Sequence, residues 1–437
     1  MKTVFENCLL MLPGRKVAEG DVAFDDESGL IEDVSLDRRR GLGGRPPSRD
    51  GRRLDLSGHL VMPGLVNCHC HAAMTLVRGL GGGLPLQRWL TEAIFPVEAK
   101  MTADDVYAGT MWGAMEMLAG GTTCVADMYD FPEAAERAFA DAGIGSRVCR
   151  VGLAFPDGTP PGRLGECVRF CREKAEGRDI CVHSEYLTDE GFCRALAEAN
   201  RELGRRIHVH VSETRREHDE CVARHGKTPV AYLAGTGLFD HGGYAAHCVW
   251  CTDDDFRIMA ERGVALVHNP TSNMKLGSGF ARVVRAMELG VCVALGTDGP
   301  ASNDNLDMFE EMHLASLVHK GLANDPTVLS PWDVVEMATK NGARALGRGD
   351  AGEIAVGKRA DFCVVDLGGL HLAPALDVPN LVVHSMHAGD VAMTYVGGRK
   401  VYDRGSFSSV DAEGARKSLM AAVARLGLVD ALATGRR

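Results

Sequence analysis

The chain has 437 residues, of which 45% are hydrophobic and 24% are charged, and its formal net charge is -11. This composition is typical of a globular protein and excludes a fibrous or disordered class, while the mild negative charge argues against a nucleic-acid partner. The length suits an α/β barrel of roughly 250 residues together with a smaller module. No apolar stretch reaches the length of a transmembrane helix and the N-terminus has no small-residue cleavage site, so we expect a cytoplasmic protein without a membrane partner.

Fourteen cysteines are scattered along the chain without the spacing of a disulfide framework. In a chain of this length they are predicted to be buried thiols that pack as small apolar residues. Cys248 and Cys251 form the one pair near zinc-finger spacing, and no second pair completes a structural zinc site.

The first predicted elements, in residues 1–58, are short strands with turns between them. The same segment includes a basic stretch rich in Gly and Pro, Arg38 to Arg53, for which we favour a solvated loop over an anion-binding site. Residues 352–437 contain short strands again and, from Asp411, a segment typical of a helix. Two β segments that flank a larger unit are expected to pair, so 1–58 and 352–437 are predicted to form one small β-sandwich domain with a C-terminal helix.

Between these segments, residues 59–351 alternate between β-rich runs and helical stretches. The eight candidate strands, in chain order, are HLVMPGLVNCHCH, TTCVADMY, RVCRVGLAF, DICVHSEY, RIHVHVSE, YAAHCVW, VALVHNP and VCVALGTD. After the first strand, DDVYAGTMWGAMEMLAGG has apolar residues at helical spacing and ends at Gly120 and Gly121. Eight such repeats predict an α/β fold, a closed parallel (β/α)8 TIM barrel.

Unusual polar residues fall at the ends of the predicted strands, which is where barrels of this kind carry their active sites. A single histidine at such a place is more often a hydrogen-bonded core residue, but here the pattern recurs on strand after strand. The residues concerned are His69, His71, His183, His210, Glu213, His247, His268, Asn269 and Asp298.

Strand geometry narrows the choice of metal ligands in the first strand. Side chains alternate between faces, so His69 and His71 share one face while Cys68 and Cys70 share the other. If the histidines point into the barrel, the cysteines point at the surrounding helices. A cysteine-ligated metal is the alternative hypothesis.

The later strands are expected to supply the other ligands. With the two histidines of the first strand, His210 and Asp298 would form a nitrogen and oxygen site suited to Zn²⁺ or Fe²⁺, with room for a water. His208 shares a face with His210. We prefer His210 because Glu213 follows it by three residues and can stand over a metal-bound water, and we expect His208 one layer deeper in the barrel.

Five motifs in order carry a family resemblance: PGLVNCHCHAAMTLVRG, HVSETRRE, AAHCV, HNPTSNMKLGSG and LGTDGPASNDNLDMFEEM. Together they resemble the mononuclear branch of the amidohydrolase superfamily, and they are most similar to the S-adenosylhomocysteine and 5′-methylthioadenosine deaminases. The resemblance covers nearly the whole chain, including GEIAVGKRADFCVVDL, which resembles the returning β-sandwich segment of the family.

The resemblance implies a metal site and catalytic roles. The metal ligands of the family match His69, His71, His210 and Asp298. Glu213 matches the proton shuttle, and His247 matches the residue that assists the attacking hydroxide, with Asp298 as the third catalytic residue. Dinuclear members carry a modified lysine at the end of the fourth strand, and DICVHSEY has none. One divalent metal ion per subunit is therefore implied, with zinc expected and iron or nickel as alternatives.

The resemblance also implies a nucleoside pocket. Glu98 matches the residue that holds the ribose hydroxyls, and His183 matches another pocket residue. Arg150 and Arg163 match the pair that receives the amino-acid carboxylate of S-adenosylhomocysteine, and Trp89 matches an aromatic residue near the thioether.

These matches imply a hydrolytic deaminase that converts the adenine moiety of S-adenosylhomocysteine, 5′-methylthioadenosine or a related adenosine nucleoside to the inosyl product and ammonia, with Glu213 also contacting the purine. Two other hypotheses stay open. A deaminase or chlorohydrolase of a free purine, pyrimidine or s-triazine would need no ribose clamp, and an inactive scaffold would need no metal. The expected partner is a small-molecule nucleoside, and the sequence leaves the 5′ substituent, the native metal and a homo-oligomeric state open.

Overall fold

The structure is a computed structural model that describes residues 1–36, 51–154, 162–174 and 176–429. Its strands are β1 (Lys2–Leu12), β2 (Lys16–Asp25), β3 (Ile31–Ser35), β4 (Arg52–Asp55), β5 (His59–Pro63), β6 (Leu65–Cys70), β7 (Thr122–Tyr129), β8 (Gly145–Arg150), β9 (Arg178–Cys181), β10 (Ile207–Val211), β11 (Gly243–His247), β12 (Val264–His268), β13 (Val293–Leu295), β14 (Phe362–Asp366), β15 (Val391–Val396), β16 (Arg399–Asp403) and β17 (Ser406–Phe407). Residues 38–50 of the basic stretch lie outside the described residues.

The helices alternate with the strands between β6 and β14. They are α1 (Leu86–Arg88), α2 (Phe95–Glu98), α3 (Ala103–Ala119), α4 (Pro132–Ala142), α5 (Gly162–Glu173), α6 (Glu190–Leu203), α7 (Arg215–His225), α8 (Pro229–Gly235), α9 (Asp253–Arg262), α10 (Pro270–Lys275), α11 (Val283–Glu288), α12 (Met308–Ala323), α13 (Pro331–Ala338), α14 (Lys340–Ala345), α15 (Val378–His384) and, after the last strand, α16 (Ala412–Arg425). A π-helical turn at Trp89–Ile94 joins α1 to α2.

Eight parallel strands, β6 to β13, pair in sequence order and form the predicted barrel. All eight residues of β7 are buried, as expected for a strand whose outer face is covered by helices and whose inner face is filled by side chains. The two ends of the sheet meet where the Asp298 N–H donates to the His69 carbonyl oxygen at 2.9 Å. This contact joins the end of the last strand to the first and confirms the barrel fold.

Helix α3 begins and ends where the sequence predicts. The Thr102 hydroxyl accepts the Asp105 N–H, and the Asp105 carboxylate accepts the Thr102 N–H at 2.7 Å, which forms a capping box. The helix ends at Gly120, and Gly121 follows with φ +82°, where a Cβ would lie 2.3 Å from Cys363 Sγ. Gly121 is therefore needed for the chain to turn directly into β7.

The N- and C-terminal segments form one nine-stranded mixed sheet. Its order is β17, β16, β15, β14, β5, β1, β2, β3, with β4 paired to β1. Strand β5 lies parallel to β1 and antiparallel to β14, so the two ends of the chain meet in the middle of this sheet. The predicted pairing of the terminal segments is confirmed.

The run predicted as the first barrel strand, His59 to His71, is two strands. The first, β5, belongs to the mixed sheet, and only β6 belongs to the barrel. Gly64 separates them, and a Cβ there would lie 2.2 Å from Thr123 Oγ1. The change of sheet therefore falls after Pro63 rather than between residues 58 and 59 as predicted. Both strands are buried almost throughout, so the sequence reads as one apolar run.

The mixed sheet is curled around its own core. Phe5 in β1 and Tyr395 in β15 are three strand spacings apart, which is roughly 14 Å in a flat sheet. Their ring centroids lie only 5.0 Å apart, and those of Phe24 and Phe362 lie 5.2 Å apart. The two halves of the sheet therefore face one another, which is the arrangement predicted as a sandwich.

Three further expectations concern the whole chain. The predicted C-terminal helix is α16, in which Arg425 Nε donates to Asp105 Oδ1 at 2.9 Å. All 14 cysteines are free and, apart from the partly exposed Cys292, buried, which confirms their predicted role in packing. Among the described residues, no helix combines the length and apolar character that a membrane span requires.

Candidate metal centre and substrate cavity

Three histidines and one aspartate converge at the C-terminal mouth of the barrel. Asp298 Oδ1 lies 3.3 Å from His69 Nε2 and 3.2 Å from His71 Nε2. His71 Nε2 lies 3.3 Å from His210 Nε2. Ligand atoms placed ~2.0 Å from a tetrahedral zinc ion are ~3.3 Å from one another. These three separations are those that a single tetrahedral ion requires. His247 forms a second group with His69 and Asp298, in which the ligand atoms all lie within 4.8 Å of one another.

Each imidazole is oriented by a contact at its other nitrogen. His71 and His210 direct Nδ1 at main-chain carbonyl oxygens, at 2.5 Å and 2.7 Å, and His69 Nδ1 lies 2.7 Å from His208 Nε2. Such contacts point the three Nε2 atoms at a common centre. His69 Nε2 is buried without a hydrogen-bond partner, as a nitrogen that binds a metal needs to be. The residues present therefore fit a divalent metal ion.

Asp298 is held in place on both sides of its carboxylate. Its Oδ2 accepts hydrogen bonds from Ser272 Oγ at 2.6 Å and Ser302 Oγ at 2.7 Å, which leaves Oδ1 facing the histidines. Burial acts to raise the pKa of Asp298, but the adjacent His69 and His71 outweigh it and the pKa lies well below its usual range. The aspartate is therefore ionised, as a metal ligand must be.

Glu213 and His247 lie beside the donor group. His247 Nε2 is 3.9 Å from Glu213 Oε2, and His247 Nδ1 is 2.8 Å from Asn273 Oδ1. The backbone is left-handed at His247 (φ +72°), at Ser212 (φ +48°) and at Asp298 (φ +61°), which is uncommon for residues other than glycine. Strain of this kind is concentrated at functional sites. Burial also raises the pKa of the Glu213 carboxyl, which favours its protonated form.

A cavity of about 360 Å³ opens above these residues. Most of its wall is apolar, and the apolar residues include Met74, Leu86, Leu90, Phe95, Met101, Val106, Leu153, Leu187 and Leu276. The polar groups in the wall, besides the donor group and its neighbours, include Glu98, Asp130, Arg163 and His183. The cavity therefore combines an apolar surface with a few polar groups, as small-molecule sites do.

Five of the six residues predicted to bind substrate line this cavity, and besides Glu213 and Arg163 they are Glu98, Trp89 and His183. Glu98 accepts the Tyr129 O–H at 2.7 Å, and burial raises the pKa of its carboxyl. Trp89 is buried and donates from Nε1 to the Leu80 carbonyl oxygen at 3.1 Å, which fixes the indole ring. Burial lowers the pKa of His183 to about 3, so its imidazole is neutral.

The two predicted arginines lie in different surroundings. Arg163 lines the cavity, where its Nη1 is 2.9 Å from Asp130 Oδ1. Arg150 is absent from the described lining and pairs with Glu166 Oε2 at 2.6 Å. Of these two arginines, the structure therefore brings only Arg163 to the cavity, where it is already paired with the carboxylate of Asp130.

Cys68 and Cys70 stand apart from the metal donors. A shift of register against β7 between Asn67 and Cys70 interrupts the alternation predicted for this strand. Cys68 packs with Val66 and Ala126, whereas Cys70 belongs to a different apolar cluster. The donor groups that the described residues form contain histidine and aspartate but no cysteine.

Two other strand-end residues also differ in their surroundings. His268 faces away from the donor group, with its Nε2 at 3.3 Å from His319 Nε2. Asn269 Nδ2 lies 3.4 Å from His247 Nδ1, beside the site. Position at a strand end therefore selects candidates but does not by itself place a side chain in the site.

Several residues that support the site were not predicted. They are Tyr129, Asp130, Ser272, Asn273 and Ser302. Ser272 and Asn273 stand in the motif HNPTSNMKLGSG, but their partners lie on other strands. No spacing in the sequence indicates such contacts.

Comparisons with known proteins agree with this geometry. The amidohydrolase family profile matches residues 60–401. A 5-methylthioadenosine/S-adenosylhomocysteine deaminase from Acetivibrio thermocellus is 42% identical over 369 residues, which cover 83% of this chain and 85% of that protein. A 5′-deoxyadenosine deaminase from Methanosarcina mazei is 43% identical over 354 residues, 79% of this chain and 82% of that protein. The solved structure of an adenosine deaminase from Xanthomonas campestris with bound zinc has a TM-score of 0.88 and 32% identity, and the match covers 97% of this chain and 98% of that one. By sequence and by fold, the chain belongs to the amidohydrolase family.

Proposed function

We propose that the protein is a hydrolytic deaminase of the adenine moiety of 5′-methylthioadenosine, S-adenosylhomocysteine or a related adenosine nucleoside. The products are the inosyl compound and ammonia. The observation that carries the proposal is the group of three imidazoles, with the Asp298 carboxylate 3.3 Å from His69 and 3.2 Å from His71 and with Glu213 beside it, at one end of an apolar cavity that also presents Glu98. Relatives named as deaminases of such nucleosides, at 42% and 43% identity, support it.

His69, His71, His210 and Asp298 would hold one divalent ion. We propose zinc, since three imidazole nitrogens and one carboxylate oxygen suit it, with iron or nickel as alternatives. When bound, zinc lowers the pKa of a water ligand from 15.7 to ~7 and so supplies hydroxide at neutral pH.

The residues around the donor group then carry the proton transfers. Glu213 protonates the purine at N1, which makes C6 electrophilic. His247 and Asp298 orient the attacking water and take up its proton as C6 becomes tetrahedral. A proton then passes to the exocyclic nitrogen, the C6–N bond breaks and ammonia leaves. General acid and base steps of this kind typically contribute about 10²- to 10⁴-fold to the rate.

The remaining cavity residues would bind the nucleoside. Glu98 accepts the ribose hydroxyls, Trp89 packs near the 5′ substituent, and His183 lines the pocket. Arg163 would receive a carboxylate on the 5′ substituent. Arg150 takes part in this only if it leaves its ion pair with Glu166.

The half-buried Glu98 favours a nucleoside over a free base or a triazine. The described structure gives this carboxyl one hydrogen-bond donor, Tyr129. A bound substrate would cover this carboxylate, which is costly unless further donors reach it, and ribose hydroxyls would supply them. A free-base or triazine hydrolase would have no use for the group. An inactive scaffold would not be expected to keep four donor atoms at metal-ligand spacing.

We also place the enzyme in the cytoplasm. All 14 cysteines are free thiols, even where two stand only a few positions apart along the chain. Thiols that stay unpaired suit a reducing compartment. The expected partner is the small-molecule substrate.

Ammonia release tests the proposed function. The purified protein is offered 5′-methylthioadenosine, S-adenosylhomocysteine, 5′-deoxyadenosine and adenosine, with guanine, cytosine and a chlorotriazine as controls. Release from one or more of the four nucleosides is the expected result. Release from the controls alone would overturn the nucleoside assignment.

A further inference from the structure

His208 lies in β10, two residues before His210, and is fully buried inside the barrel. It is not part of the donor group, but its Nε2 lies 2.7 Å from His69 Nδ1. We propose that His208 is a positioning residue that keeps the proton of His69 on Nδ1 and thereby leaves the lone pair of His69 Nε2 free for the metal. The inference rests on the proposed metal centre.

The hydrogen bonds around His208 assign the direction of this contact. Cys149 Sγ lies 3.6 Å from the Asp127 carbonyl oxygen and 3.9 Å from His208 Nδ1. A carbonyl only accepts, so the single thiol proton is directed to Asp127 and the sulfur accepts from His208 Nδ1–H. A neutral imidazole with a proton on Nδ1 has its lone pair on Nε2. His69 Nδ1 must then donate to His208 Nε2.

The opposite direction would block the proposed metal centre. If His208 Nε2 donated to His69 Nδ1, the proton of His69 would lie on Nε2, in the donor group and 3.3 Å from Asp298 Oδ1. A protonated nitrogen has no lone pair for a metal. The observed absence of a hydrogen-bond partner at His69 Nε2 agrees with the first direction.

His69 is the one imidazole among the three proposed ligands that depends on a side chain in this way. His71 Nδ1 faces the Met128 carbonyl oxygen and His210 Nδ1 faces the His183 carbonyl oxygen. Main-chain oxygens are present whatever the side chain at that position. Among these three contacts in the described residues, only the one at His69 Nδ1 can therefore be removed by replacing a side chain.

The ring of His208 is itself held from below. It packs against the Tyr244 ring with centroids 4.4 Å apart, and Tyr244 donates its O–H to Asp179 Oδ2 at 2.8 Å. Asp179 is paired with Arg147 through two hydrogen bonds of 2.7 Å and 2.8 Å. The hydrogen bonds of Tyr244, Asp179 and Arg147 thus fix the ring against which His208 packs, and so help to hold His208 against His69.

The test compares two substitutions of His208 that differ in hydrogen-bonding capacity. Glutamine retains an acceptor that can reach His69, whereas leucine fills a similar space without one. The metal is removed from each full-length protein, and the dissociation constant for Zn²⁺ is measured by competition with a chromophoric chelator at fixed pH. The readout is metal affinity, and the unfolding temperature of each metal-free protein shows that it is folded.

We expect His208→Leu to weaken zinc binding by about 10- to 100-fold, the usual cost of losing a partner of a metal-ligating histidine, and His208→Gln to lose much less. His268→Leu is the matched control, because His268 is an equally buried histidine at a strand end whose Nε2 contacts His319 and not the donor group. It should bind zinc as the wild type does. If His208→Leu does not fold, His208→Met serves instead, since it also lacks a strong acceptor.

Two results would overturn the inference. Wild-type affinity in a folded His208→Leu protein would show that His69 needs no acceptor. Equal losses in the glutamine and leucine variants would show that His208 acts through its shape. If the wild type itself binds no zinc, the proposed metal centre fails and the inference fails with it, which separates the two cases.

Discussion

Replacing Glu98 with glutamine should weaken the preference of the enzyme for a substrate with ribose hydroxyls. Glu98 lies in the cavity wall, where the Tyr129 O–H donates to Oε1 at 2.7 Å and leaves the rest of the carboxylate for a ligand. A hydrogen bond to a charged group contributes about 1.5–3 kcal/mol. At about 1.4 kcal/mol per factor of ten, one lost bond lowers kcat/KM by roughly 10- to 150-fold.

The assay is a cycle of two enzymes and two substrates. Ammonia release is measured for the wild type and Glu98→Gln with adenosine and with 2′,3′-dideoxyadenosine. The wild type should prefer adenosine by the factor given above, because only adenosine offers the hydroxyls. Glu98→Gln should prefer adenosine by only about 2- to 12-fold, since a hydrogen bond to its neutral amide oxygen contributes about 0.5–1.5 kcal/mol.

Tyr129→Phe is the control for this cycle. It removes the donor that orients Glu98 but keeps the carboxylate, so a clear preference for adenosine should remain. If the wild type and Glu98→Gln discriminate between the two nucleosides equally well, Glu98 does not contact the ribose and the reasoning is refuted.

Three other predictions follow from the site and its surroundings. Glu213→Gln should still bind zinc and nucleoside but lose about 10²- to 10⁴-fold in kcat, and near wild-type ammonia release would remove Glu213 from the mechanism. Burial raises the pKa of Glu311 from 4.5 to about 8, so the folded protein binds this proton more tightly than the unfolded chain. The stabilisation from this proton is complete below pH 4.5 and is lost as the pH rises to 8. Within that window, the free energy of unfolding of the wild type, measured in denaturant, should fall by up to about 1.4 kcal/mol per pH unit relative to that of Glu311→Gln. If the free energies of unfolding of the wild type and Glu311→Gln change in parallel with pH, this prediction is contradicted. Alanine at Cys68 or Cys70 should leave the metal content of the folded protein unchanged, and loss of the metal would favour the cysteine-ligated alternative.

The barrel and the donor group could be predicted because they depend on local order. Strands alternate with helices at regular spacing, and the carboxyl ends of parallel strands meet at one mouth of the barrel. Once the strands were recognised, His69, His71, His210 and Asp298 could be expected at the same mouth of the barrel, although His268 shows that a strand end alone does not decide which side chains enter the site. The measured spacing of their donor atoms agrees with that expectation.

The features that could not be predicted depend on contacts between distant segments. The run from His59 to His71 reads as one strand because burial on both faces removes any periodicity, and only its pairing partners divide it into β5 and β6. Arg150 matches a family position, yet Glu166 on the next helix pairs with it outside the cavity lining. The contact of His208 with His69 joins residues 139 positions apart. No local pattern encodes such a pair.

Titration of the metal-free protein with Zn²⁺ tests the central claim most directly. Ammonia release from 5′-methylthioadenosine is followed as the metal is added. The activity should be absent at the start, rise in proportion to zinc and stop rising at one ion per chain. Full ammonia release from the metal-free protein, or a rise that continues to two ions per chain, would contradict a deaminase with a single metal bound by His69, His71, His210 and Asp298.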